Sequence, residues 1–176
     1  MNRVSWKLLT FYFIGYVILQ IPLLNKFVLF NVAFSFSYLG YLIFFPLGQN
    51  PILRLMTGFL TGLFIDIFSN TPGLHASVCT FIMFFRDTWL RRILEYEEGV
   101  FDMNIYILKA RGILMYVLPF IFIHHLMIFW INYGTGIGVF LVFDRILAST
   151  IFSCTSILLI NLVISIKPSR IWKAVF

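Results

Sequence analysis

Apolar residues run through this chain in blocks of about 20, the length at which an α-helix crosses a hydrocarbon core, and turn-forming or polar breaks separate the blocks. The first block, 6–24, lies behind Arg3 and Lys7. It shares the basic start of a signal peptide, but no small-x-small cleavage site follows, so it reads as an uncleaved first span. The second, 27–47, is stopped by Pro46 and the turn Gly48-Gln49-Asn50-Pro51. The third, 52–68, ends at Ser69-Asn70-Thr71-Pro72-Gly73, where Thr71 and Pro72 suit the N-cap and first position of the fourth, 72–90. After the polar segment 91–112 comes the fifth block, 113–131, with Pro119 as the place for a kink. Asn132-Tyr133-Gly134-Thr135-Gly136 breaks it. The last apolar stretch, 137–166, is longer than one untilted crossing needs. It is either a long tilted helix or an interfacial piece followed by a crossing near Asp144, and the sixth span is placed at 144–166 before Lys167-Pro168.

Composition turns this pattern into a class. Apolar residues make up 61% of the 176 and charged residues 11%, with mean hydropathy +0.96, against about 45–50% and about 25% in soluble domains. A 20.6 kDa globule cannot bury that much apolar surface. A soluble enzyme, a nucleic-acid module and a disordered tail are excluded. The expectation is an all-α integral membrane protein, one polytopic domain over 1–176 built as a bundle of six transmembrane helices. The net charge of +6 then needs no acidic partner, because Lys and Arg collect in cytoplasmic segments. With the N-terminus inside, eleven of the thirteen basic residues fall on inside segments, Lys26 falls outside and Arg145 sits at the start of span six. Both termini are expected in the cytoplasm. Trp6, Trp89, Trp130 and Trp172 all fall at span ends, as an aromatic belt predicts. Cys79 and Cys154 lie inside apolar runs and read as small core residues.

The most patterned stretch is Gly58-Phe59-Leu60-Thr61-Gly62-Leu63-Phe64-Ile65-Asp66. Positions 58, 62 and 66 drift only about 40° per four residues and share a helix face. Glycines four apart let another helix approach closely, either within the chain, which is the favoured reading, or from a partner. Thr57 and Thr61 border that groove and could hydrogen-bond across it. Asp66 is the one acid in the first 86 residues. It could serve a proton- or cation-coupled carrier, or fix the 69–73 turn by accepting backbone N–H groups, as anions do at helix N-termini; the second is favoured. His75 falls a turn from Asp66 if the break is tight, as relay or strut. His124 and His125 point about 100° apart and cannot readily chelate one metal, which wants i,i+4 spacing. His125 shares a face with Asn132. Structural hydrogen bonding is the favoured role for these. Arg86-Asp87 and Asp144-Arg145 read as interfacial anchors. Segment 91–112, whose charges balance, is the one sizeable cytoplasmic surface. No nucleophile elbow, phosphate loop or His-Glu-x-x-His is present, so neither an enzyme nor a bound cofactor or metal is expected.

Thr57 to Asp66, the Ser/Asn break, and Gly73-Leu74-His75-Ala76 together resemble the signature of MreD, the small six-span membrane subunit of the bacterial rod-shape machinery. The matching positions are Gly58, Gly62, Asp66 and Gly73, and His124-His125 resembles Bacteroidetes-type members. The specific motif covers about 20 residues, while length and span count fit throughout. The resemblance implies a non-enzymatic inner-membrane scaffold that binds single-span MreC. Through it the scaffold would meet MreB filaments and the glycosyltransferase/transpeptidase pair of peptidoglycan synthesis. It also implies a fold similar to the S components of energy-coupling vitamin transporters. That kinship supplies the rival, a small-molecule-binding S component, beside a proton-coupled small transporter. S components usually carry a small-x-x-x-small pair in span one, where this chain has only Gly15 with Leu19.

Overall fold

The computed structural model describes residues 6–18, 20, 28–93, 112–133 and 138–166. The architecture is mainly helical. Helix α1, Trp6–Phe13, runs on as a π-helical segment, Ile14–Ile18. A two-stranded hairpin follows, β1 Val28–Leu29 antiparallel to β2 Ala33–Phe34, and then a short helix α2, Leu39–Ile43. Helices α3, Pro51–Ser69, and α4, Leu74–Ile93, form a helical hairpin. A second π segment, Ile113–Val117, leads into α5, Leu118–Tyr133, and α6 covers Val139–Ile166.

Among the described residues, three helical stretches are long and apolar enough to cross a membrane: Pro51–Ser69, Ile113–Tyr133 and Val139–Val163. Their exposed side chains are large and apolar, among them Ile52, Met56, Phe59, Leu63 and Ile67 on α3 and Leu147, Ile151, Leu159 and Val163 on α6. A surface of that kind suits hydrocarbon rather than water. Helix α4 has a comparable length, 20 residues, but Arg86, Asp87, Arg91 and Arg92 crowd its C-terminal half. It also extends past the expected end at 90 to Ile93; the rest of the 91–112 loop, up to Gly112, lies outside the described residues. Helix α6 begins at Val139, so the unbroken long helix replaces the expected start at 144. Its 28 residues measure about 42 Å at about 1.5 Å each.

The second expected span is corrected. Over 28–47 the chain is a hairpin, an extended stretch and a five-residue helix, not one crossing helix. Phe30 and Asn31 hold left-handed φ values of 53° and 59° and turn the chain, with Val32 N–H donating to the Leu29 carbonyl at 3.1 Å. Non-helical backbone survives among apolar groups only if other groups take its hydrogen bonds, and here side chains do. Phe34 N–H donates to Ser149 Oγ (3.0 Å) and Phe36 N–H to Ser153 Oγ (2.9 Å). Gln20 takes the Ser37 N–H at 2.8 Å and gives its amide to the Ser35 carbonyl at 2.6 Å. Periodicity cannot separate a buried extended run from a helix, which is why this block read as a span.

Proline placement explains two further joints. Pro119 has no N–H to give the Met115 carbonyl four residues back, and Trp89 Nε1 donates to that carbonyl at 3.0 Å. Pro46 stops the α2 segment, and the buried Arg86 takes the freed carbonyls of Ile43 (3.1 Å) and Phe45. Arg86 also donates to Tyr116 Oη (3.1 Å) and to Asp87 (2.6 Å), whose other oxygen accepts from Arg54 at 2.6 Å. Arg86 is thus an inward fastener between α4, α2 and the segment before α5, rather than an interfacial anchor. Arg145 lies 5.0 Å over the Tyr133 ring, a cation–π contact.

Candidate functional site

The glycine face of α3 is filled by α4. A Cβ at Gly62 would overlap the backbone of His75 and Ala76, and one at Gly58 would come within 2.9 Å of the Cys79 carbonyl and Met83 Cγ. Backbone-to-backbone contact of this kind requires glycine. The pair therefore serves packing inside the chain, the favoured of the two expectations. Thr57 does not bond across the groove: its hydroxyl donates to Leu53 O at 2.8 Å, one turn back on its own helix.

One turn beyond Gly62, the Asp66 carboxylate caps the start of α4. Its Oδ1 accepts from the His75 backbone N–H, from His75 Nδ1 and from the Thr71 hydroxyl, each at 2.9 Å, and Oδ2 accepts from the Ala76 N–H at 2.9 Å. The first N–H groups of a helix have no partner within it, and a carboxylate there also meets the positive end of the helix dipole. Asp66, from the neighbouring helix, fills the capping role expected of Thr71, which instead steadies the carboxylate. The turn is completed by Asn70 at φ 54° and Gly73 at φ 79°. A Cβ at Gly73 would meet nothing within 4 Å, so its glycine answers to the left-handed backbone alone. Gly58, Gly62, Asp66, Gly73 and His75 thus belong to one joint, in which Asp66 and His75 are each 3% exposed.

His124 and His125 of α5 lie against that joint. The His124 ring is 6.5 Å from the His75 ring and its Nε2 is 2.8 Å from the Tyr38 hydroxyl. His125 Nδ1 is 2.7 Å from the Ile121 carbonyl, and because a carbonyl only accepts, this nitrogen carries the proton. His125 Nε2 is then an acceptor for the Ser153 hydroxyl at 3.1 Å. Phe36 stands among the three histidines, its ring centroid 5.8, 5.7 and 5.0 Å from those of His75, His124 and His125. Asn132 is exposed near the end of α5 and is not brought to this cluster. The adjacent His124 and His125 rings diverge by 76°. Among the described residues, no group of three His, Cys, Asp or Glu could hold a metal ion.

The sequence reading missed Tyr38, Phe36, Gln20, Ser149 and Ser153. The serine spacing i, i+4 inside the apolar α6, continued by Ser156, is the signal that could have exposed them. A stripe of hydroxyls on an apolar helix asks for a polar partner, and the buried extended segment is that partner. Compared with protein-family models, with curated proteins and with solved structures, the chain matches none of them.

Proposed function

We propose that this chain is a non-enzymatic scaffold subunit of the bacterial cell-shape machinery, of the MreD kind, seated in the inner membrane and binding a single-span MreC-like protein. Through that partner it would help organise peptidoglycan synthesis. The observation that carries the reading is the use made of the signature residues. Gly58, Gly62, Asp66, Gly73 and His75 build a rigid helical hairpin, with every one of them spent on packing, turning or capping. The rival proton-coupled carrier needs a carboxylate free to exchange its proton, whereas Asp66 accepts four hydrogen bonds from the turn it holds together.

The partner helix of this proposal would lie along another side of α3. A lateral, mainly apolar groove of about 430 Å³ is lined by Phe13, Tyr41, Thr57, Leu60, Phe64 and Ile67, among others. An apolar helix laid along such a groove gains contact from side chains at helical spacing. Replacing Leu60, which is 54% exposed, with Trp should fill the groove without touching the α3–α4 joint. The expected result is a protein that accumulates normally and no longer co-purifies its single-span partner. Undiminished co-purification would remove the groove from the proposal.

A further inference from the structure

Two buried imidazoles from different helices come together here with one ring nitrogen each left over. His75 Nε2 and His124 Nδ1 have no hydrogen-bond partner among the described residues, although the two residues are only 3% and 0% exposed. The rings, 6.5 Å apart between centroids, are too distant for a direct N–H···N bond. Two hydrogen bonds of about 2.8 Å in series, bent at a shared oxygen, join nitrogens about 4–5 Å apart, a separation that rings at this centroid distance reach through their facing edges. Buried polar atoms are satisfied in nearly all proteins, and bound water commonly does it where two or more polar partners converge.

The outer partners fix the direction of each proton. Asp66 is ionised in its role as a cap and can only accept, so His75 carries its proton on Nδ1 and its Nε2 is an acceptor. Tyr38 Oη lies against His124 Nε2 at 2.8 Å, and the tyrosine is fully buried. A buried phenol gives its one proton to an acceptor within reach, so Tyr38 donates to His124 Nε2 and the His124 proton lies on Nδ1. One of the two unpartnered nitrogens is thereby a donor and the other an acceptor. We propose that His75 Nε2 and His124 Nδ1 together bind one water molecule, which closes a single directed chain running Tyr38, His124, water, His75, Asp66. The chain couples the extended segment before α2 and the middle of α5 to the cap of α4. This site is independent of the scaffold reading.

The protein contains three histidines, so labelling histidine alone with ¹⁵N gives a complete and simple test. Solid-state NMR of the full chain in lipid bilayers would read the tautomer of each ring and magnetisation transfer from bound water. The expected result is an Nδ1 proton on all three rings, with transfer from water to His75 Nε2 and His124 Nδ1. His125, tied to Ile121 and Ser153, should receive none at Nδ1. In Tyr38→Phe, His124 should lose its single tautomer while His75 keeps Nδ1–H; in His124→Phe, water transfer at His75 should fall severalfold. An Nε2 proton on His75 or His124 in the unmodified protein would overturn the proposal. So would the absence of water transfer to both rings, or a His124 spectrum unchanged by Tyr38→Phe.

Discussion

Asp66 shows how one side chain can decide a local structure. Its two oxygens take two backbone N–H groups of α4, a hydroxyl and an imidazole N–H, so an amide of the same shape is a poor substitute. Asn at this position would turn an NH₂ group toward one of the N–H donors and lose the charge, which raises a hydrogen bond from about 1 to about 1.5–3 kcal/mol. Asp66→Asn should therefore lower stability by about 2–3 kcal/mol, read as a drop in thermal midpoint in detergent, with the helix content of the folded state unchanged. The two kinds of glycine in this joint should separate as cleanly. Gly73→Ala meets open space and incurs only left-handed strain, about 1–2 kcal/mol. Gly62→Ala drives a Cβ into the α4 backbone and should cost clearly more, with Gly62→Leu failing to accumulate. Equal midpoints for Gly62→Ala and Gly73→Ala would contradict the packing described. Much of this was legible from residue order, because a glycine pair, an acid four residues on and a turn-forming break allow few arrangements. That Asp66, and not Thr71, caps α4 was not legible, since a cap supplied across a helical hairpin leaves no mark in local spacing.

At the level of elements, the departure from expectation is the segment 28–47. Its apolar run has the length of a span, yet the backbone is held extended by Gln20 and by the serines of α6. Ser153 matters most there: it accepts the Phe36 N–H at 2.9 Å and lies 3.1 Å from His125 Nε2. Ser153→Ala leaves both groups buried without that oxygen, at about 1–3 kcal/mol for each buried group stranded. Thr155→Ala, at an exposed position whose hydroxyl bonds back to the Ile151 carbonyl at 2.9 Å, should cost several-fold less. Comparing the two thermal midpoints checks the pinning directly, and similar values would count against it. Hydrophobicity marks what is kept from water but not the backbone conformation. A span-length apolar block facing a helix with a hydroxyl stripe is therefore ambiguous from composition alone. The long helices escaped that ambiguity because Pro51, the 69–73 break and the 132–136 break bound them.

On the scale of the whole molecule, the described residues are joined by polar fasteners set within an apolar exterior. The Asp66 cap closes one end of the α3–α4 hairpin, and Arg86 with Asp87 and Arg54 ties its other half to α2 and Tyr116. Charged groups among apolar helices are costly unless they are paired and hydrogen-bonded, and in exchange they fix one arrangement. A body so fastened, with broad apolar faces on α3 and α6, is what the proposed scaffold role asks for. The most direct measurement is depletion of the protein in the cell it comes from, followed by cell width and the sites of new wall incorporation. The scaffold account predicts rounded or swollen cells with dispersed wall synthesis. Cells that keep their width and their pattern of wall insertion after the protein is gone would contradict it.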